Sequence, residues 1–252
     1  MCTSHTSTLE PRADQDVSDD CIAPEPAADG DINKQHSEKP VVIIGGAGYM
    51  GVHLASSLLT RKRRVIIYDC LATQAANAGI QWLIGRHGFT FGLITASLTD
   101  QQALKAALTD AEAVFYMAGQ TSVHHSFAEP LADFEHNALN AVHVLHTLRQ
   151  LQPPPPLLYV NTAKVYGALD DIELEEIETR YVPVEHSVRM FGLNEQHPLP
   201  FDTPFACSTG VAERYVVEFG SSLGLRTIVL RTGTVYGPND LCAKANWVSQ
   251  LM

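Results

Sequence analysis

Val41-Val42-Ile43-Ile44-Gly45-Gly46-Ala47-Gly48-Tyr49-Met50-Gly51 is the stretch on which the fold turns. Four apolar residues in succession, ending in glycines, suit a parallel strand buried on both faces. The glycines then fall in a GxxGxxG spacing, directly after the strand and at the opening of a helix. Gly45 permits a tight turn, Gly48 lets backbone amides approach a pyrophosphate, and Gly51 allows the helix to pack close against the sheet. Tyr49 and Met50 complete this turn, and the helix N-terminus supplies a field that favours an anion. Asp69 lies 18 residues after Gly51, at the end of the next apolar run. A carboxylate there can accept from an adenosine ribose 2′-hydroxyl and would repel a 2′-phosphate, so the pattern predicts NAD over NADP.

Outward from this turn, strand-like and helix-like segments alternate. Residues 65–69 read as a second strand, 89–94 as a third, 113–117 as a fourth, 157–161 as a fifth and 227–230 as a sixth. A helix carrying Leu54, Leu58 and Leu59 follows the first strand. A long helix with Phe134, Ala138, Val142, Leu145 and Leu148 at helical spacing precedes the fifth. This alternation predicts an α/β fold, a Rossmann-type doubly wound parallel sheet with right-handed crossovers. Pro153 to Pro156 reads as a stiff connector between helix and strand.

The first 39 residues differ in kind. They hold nine acids against three bases, contributing −6 of the net charge of −11, and almost no large apolar residues. Residues 1–39 are therefore expected to form a disordered acidic tail, and 40–252 the dinucleotide-binding domain. The tail has neither the apolar core of a signal peptide nor the basic, acid-poor make-up of a transit peptide. The five cysteines are widely spaced with no CxxC, which points to a reducing compartment and away from disulfides or structural zinc. His143 and His146 sit one turn apart with no evident third ligand, so no metal is expected. The acidic balance argues against nucleic acid, no apolar run spans a bilayer, and the cytoplasm is the expected location.

Four further stretches carry a resemblance: Val114-Phe115-Tyr116-Met117-Ala118-Gly119-Gln120, Asp133-Phe134-Glu135-His136-Asn137-Ala138-Leu139, Asn161-Thr162-Ala163-Lys164-Val165-Tyr166-Gly167, and Arg231 to Gly237. With the glycine turn, and in this order, they make residues 41–252 resemble the extended short-chain dehydrogenase/reductase superfamily of NAD-dependent nucleotide-sugar epimerases and dehydratases. The resemblance implies that Ala118, Gly119 and Gln120 end the fourth strand beside the ribose and nicotinamide. It implies that Asn137 helps hold the active-site backbone, and that Thr162 bonds the reacting sugar hydroxyl. It further implies a nucleotide sugar, a CDP- or UDP-hexose, as ligand, and allows a homodimer. Relatives continue beyond the position of Met252, so a truncated C-terminal substrate lobe is expected.

The same resemblance exposes a conflict. In such enzymes a tyrosine, tuned by a lysine one helical turn later, takes the proton while hydride moves to NAD. Here the matching helix reads Pro204-Phe205-Ala206-Cys207-Ser208-Thr209-Gly210, so Phe205 and Thr209 occupy the tyrosine and lysine positions. Neither side chain can carry or tune a proton at neutral pH. The third strand is followed by Ala96-Ser97-Leu98-Thr99-Asp100, where relatives place an aspartate near adenine, so Ser97 and Leu98 are left to hold it. Ile44 replaces a frequent threonine. Three readings stay open: an NAD-binding member with impaired catalysis, an active epimerase or dehydratase with a displaced base, or an NAD-sensing scaffold. Lys164 and Tyr166, which strand alternation puts on one face with Thr162, are the candidate replacement bases, with the loop residues His124 and His125 as a second pair. The acidic stretch 168–204 corresponds to an excursion that covers the active site in such enzymes.

Overall fold

A computed structural model of the chain describes residues 39–238 and residue 240. Strand β1 (Val41–Ile44) is wholly buried and lies between β2 (Val65–Asp69) and β4 (Ala113–Tyr116), both parallel to it. With β3 (Gly92–Thr95), β5 (Leu157–Thr162) and β8 (Thr227–Thr232) they form one parallel sheet in the order β3-β2-β1-β4-β5-β8. The order reverses between β1 and β4, where open α/β sheets leave a crevice outside the carboxyl ends of their strands. This is the doubly wound arrangement the alternation predicts. Strands β6 (Leu174–Ile177) and β7 (Arg180–Pro183) pair separately as an antiparallel hairpin, and the short helix α7 (His186–Phe191) follows them.

Helices cover both faces. On one side α1 (Tyr49–Thr60) and α2 (Gln74–His87) enclose Val41, Ile43, Ala55, Val65, Ile67, Ile80 and Leu83. On the other, α3 (Gln101–Leu108), α6 (Asn140–Arg149) and α8 (Pro204–Ser221) pack on Val42, Ile44, Val114, Tyr116, Leu157 and Tyr159. Alternate residues of each strand thus feed opposite cores, which is why β1 tolerates no polar residue.

Two elements depart from the sequence reading. The third strand begins at Gly92, not at residue 89: Gly88 takes φ 63 at the end of α2 and sends Phe89 out to 86% exposure. The long helix expected through 134–148 is interrupted. Helix α5 (Pro130–Phe134) runs into one π-helical turn (Glu135–Leu139) before α6. Because that turn holds more residues than an α-turn, the apolar face slips. Phe134 is consequently 46% exposed, while Ala138, Leu145 and Leu148 remain buried with Ala141 and Val144. His124 and His125 lie in a short helix, α4 (Val123–Ala128), not in a loop, and both are exposed. The acidic tail expected over residues 1–39 falls, but for Lys39, outside the described residues.

Candidate functional site

The glycine turn has room for an anion where one is expected and none where the chain must close on itself. Gly45 takes φ 75, and a Cβ there would stand 2.5 Å from the Ala118 amide nitrogen. At Gly51 a Cβ would meet the Gly45 carbonyl oxygen at 2.6 Å, so this glycine lets α1 approach the turn. Around Gly48 only the Gly45 oxygen comes near, at 3.3 Å. Gly48 also stands as the extended N-cap of α1 and offers its orphan amides no side-chain acceptor, with Tyr49 and Met50 beginning the helix. Such amides are ready for a pyrophosphate.

Asp69 ends β2 beside this turn. Its carboxylate accepts from the Ala47 amide at 3.1 Å and from the Leu71 amide at 2.9 Å. Four lone-pair sites on two oxygens leave capacity for ribose hydroxyls. Across β3, the Tyr68 hydroxyl donates to the Ser97 carbonyl at 2.7 Å, which fixes the loop on which Ser97 is exposed and Leu98 buried. Burial, aided by Asp100, pushes the Tyr68 hydroxyl up to about 12 from the usual 10. The residues that fit a dinucleotide are thus gathered along the ends of β1, β2 and β3.

Beyond β4 the backbone of Ala118, Gly119 and Gln120 is held from below. Asn137, in the π-helical turn, accepts the Gln120 amide proton on Oδ1 at 2.8 Å and donates through Nδ2 to Asp133 Oδ1 at 3.1 Å and Ser208 Oγ at 3.0 Å. A Cβ on Gly119 would collide with Asn137 Oδ1 at 2.8 Å. Asp133 is fully buried and also accepts from Gln120 Nε2 at 2.7 Å and from the Ser208 hydroxyl. Sequence reading assigns Asn137 its holding role but misses Asp133, whose neutral donors come from three separate segments. An acidic residue inside an apolar helical pattern was the available signal.

Helix α8 begins at Pro204, with the Thr203 hydroxyl accepting from the Ala206 amide at 3.0 Å as its cap. Phe205 is 4% exposed, its amide donating to Ser126 Oγ at 3.1 Å, and Thr209 is 7% exposed. The Thr209 hydroxyl donates back to the Phe205 carbonyl at 2.9 Å, so its proton is spent within its own helix. The ammonium of Lys164 lies 5.6 Å from the centre of the Phe205 ring, a cation–π placement. Thr162 is half-buried at the end of β5, its Oγ1 accepting from the Lys164 amide at 3.2 Å as cap of a 3-10 turn (Ala163–Tyr166). Phe205, Lys164 and Thr162 therefore share the carboxyl end of the sheet.

Tyr166, the other candidate base, is engaged elsewhere. Its hydroxyl accepts from Arg231 Nη1 at 2.7 Å and donates to the Asn194 carbonyl at 3.2 Å. Arg231 in turn grips the buried Glu213 of α8 through Nε at 3.0 and 3.1 Å and through Nη2. Asn161 Nδ2 donates to Glu213 Oε2 at 2.6 Å. The bond to Glu213 drives the guanidinium further above its already high range. Sequence reading missed this pair, because α8 and β8 meet only in the folded chain. Part of the 168–204 stretch packs down nearby: a Cβ on Gly167 would stand 2.7 Å from Pro200, and one on Gly210 would stand 2.2 Å from the Phe201 ring. His124 and His125 stay on the surface of α4.

Among the described residues, no helix is long and apolar enough to cross a membrane and no group of His, Cys, Asp and Glu could hold a metal ion. Cys70 and Cys207 are free, exposed thiols.

A sequence model of the NAD dependent epimerase/dehydratase family matches residues 41–251. The chain is 31% identical over 199 residues to CDP-paratose 2-epimerase of Salmonella typhi, covering 78% of this chain and 57% of that protein. Among solved structures it is similar to UDP-glucose 4-epimerase of Thermus thermophilus in complex with NAD, with 28% identity and a TM-score of 0.59, over 79% of this chain and 56% of that one. The UDP-N-acetylglucosamine 4-epimerase from Methanobrevibacter ruminantium M1, in complex with UDP-N-acetylmuramic acid, shares the fold with a TM-score of 0.62 at 24% identity, over 80% and 56% of the two chains. The chain thus spans a little over half the length of these relatives.

Proposed function

The chain belongs to the NAD dependent epimerase/dehydratase family, and from that premise we propose that it is an NAD-binding member whose proton-transfer step is impaired by Phe205 and Thr209. NAD, when bound, supplies the acceptor and donor of hydride at a sugar carbon. The chain's own residues hold and orient. The amides after Gly45 and at the start of α1 take the pyrophosphate, Asp69 the adenosine ribose, Ser97 and Leu98 flank the adenine, and Ala118, Gly119 and Gln120 line the nicotinamide end over Asn137. Thr162 keeps its hydroxyl proton for a sugar oxygen. The ligand is a nucleotide sugar, a CDP- or UDP-hexose, consistent with what the names of its relatives state of them.

The observation that carries the reading is the enclosure of residue 205. A ring 4% exposed, with no hydroxyl and with Lys164 stacked on it, gives a sugar hydroxyl no base in the place where the family has one. Positioned acid–base catalysis contributes about 10² to 10⁴ in rate. Thr209 removes the lysine charge as well. Lys164 also supports a second reading, in which its amine is the displaced base of an active CDP- or UDP-sugar epimerase, since it stands over the ring in question.

The test pairs NAD titration by calorimetry with turnover of CDP- and UDP-hexoses by the wild type, by Phe205→Tyr with Thr209→Lys, and by Lys164→Ala. The proposal expects NAD binding, wild-type turnover near background, and a gain of at least about 10² in the double variant. Wild-type turnover at ordinary enzyme rates that Lys164→Ala abolishes would establish the second reading instead. Binding with no gain in the double variant would favour an NAD-sensing scaffold, the plainest use of a cradle without a base; a homodimer is the expected assembly and is checked by sedimentation.

A further inference from the structure

Residues 233–238 leave β8 at the edge of the sheet, yet by Pro238 they have reached the first turns of α1. His53 Nε2 lies 2.9 Å from the Pro238 carbonyl oxygen. Gly237, at φ 151, comes so near Tyr49 that a Cβ would stand 2.7 Å from its hydroxyl. Between β8 and β1 lie β5 and β4, three inter-strand steps or about 14 Å. The five residues from Gly233 to Gly237 span about 17 Å fully extended, so the path has little slack. The short way from β8 to α1 leads over the carboxyl ends of β5 and β4, toward the point where strand order reverses. Tyr236, 60% exposed, and Val235, 41% exposed, sit on this crossing.

His53 is itself fixed. Its ring meets Tyr49 edge-on at 5.1 Å and lies 5.0 Å from Trp82 of α2, so its donor is aimed before the crossing segment arrives. The glycine turn needs no such residue for the chemistry of pyrophosphate binding, which backbone amides supply.

We infer that His53 is a positioning residue that latches residues 233–238 as a strap across the dinucleotide crevice, and that this latch sets the rate at which NAD leaves. The inference rests on the proposed NAD binding. A dinucleotide that runs from Asp69 across the glycine turn to Ala118, Gly119 and Gln120 has its nicotinamide half covered by the strap and departs only when the His53 to Pro238 bond opens. One hydrogen bond on the opening step is worth about tenfold in rate.

The experiment measures NAD dissociation by stopped-flow fluorescence, and amide hydrogen exchange of residues 233–238 without ligand, on the full chain. His53→Ala is expected to raise the dissociation rate about tenfold and to speed exchange in the strap. His53→Gln, whose amide still donates, is expected to restore most of both. Gly237→Ala, whose Cβ would press on the Tyr49 hydroxyl and push the strap away from α1, is expected to act like His53→Ala. Dissociation rates equal to wild type in His53→Ala and Gly237→Ala overturn the latch while leaving the proposed function standing. A wild-type chain that takes up no NAD overturns both, and the two failures are told apart by the titration.

Discussion

The two ends of the site obey opposite rules. Around Gly48 and Asp69, space and unfilled hydrogen-bonding capacity are kept open, and the Asp69 carboxylate is placed by backbone amides. Around Phe205 and Thr209 the volume is filled, and the one hydroxyl present bonds to its own helix. The two regions therefore differ along the sheet: the β1 to β3 side leaves acceptors and amides open, and the α8 side is filled by a ring and a self-bonded hydroxyl. On the proposed reading, a scaffold outlasts its reactive groups because it is held by residues other than those that react.

The strongest way to break that comparison is to attack the architecture of α8. Replacing Glu213 by Ala strands the Arg231 guanidinium in a nearly closed site, with an expected loss of about 3 kcal/mol in urea unfolding, as for other buried pairs cut on one side. A loss below about 1 kcal/mol would mean that the helix is held by packing alone. On the cradle side, Gly45→Ala sets a Cβ against the Ala118 backbone at a positive φ. Overpacking and backbone strain together should cost about 2 kcal/mol and remove NAD binding measurable by calorimetry.

Phe205→Tyr with Thr209→Lys sharpens the contrast, because a longer, charged side chain enters a site now 7% exposed. We expect stability to fall by about 1 to 3 kcal/mol, seen as a lower melting temperature, even as turnover rises. Asp69→Asn should weaken NAD about tenfold while narrowing its advantage over NADP, read by parallel titrations. The smallest effect is expected of Thr203→Ala, which removes the α8 cap for about 1 kcal/mol and leaves NAD affinity unchanged.

Much of this was legible in the residues. Strand β1, the glycine turn, the place of Asp69 and the doubly wound parallel class follow from apolar runs, spacing and alternation, since a buried parallel strand and a GxxGxxG turn each leave a local mark. What escaped was non-local or depended on one dihedral angle. Phe89 and Phe91 read as strand because their alternation is strand-like, and only Gly88 at φ 63 shows why the chain turns there first. The π-helical turn moved Phe134 out of a face its spacing assigned to it. Glu213 and Arg231 look like surface charges in isolation, and Pro238 gives no hint that its carbonyl will meet His53 three strands away from β8.

The carboxylate of Asp133 has a last implication. By tying Ser208 to Asn137 and to Gln120, it fixes the rotation of α8 about its own axis at the position between 205 and 209. Any residue placed at 205 must therefore project in the same direction as the present ring. A tyrosine introduced at 205 would thus inherit its heading from α8, and its aim would be set by a carboxylate far from it in sequence but one layer beneath it in space.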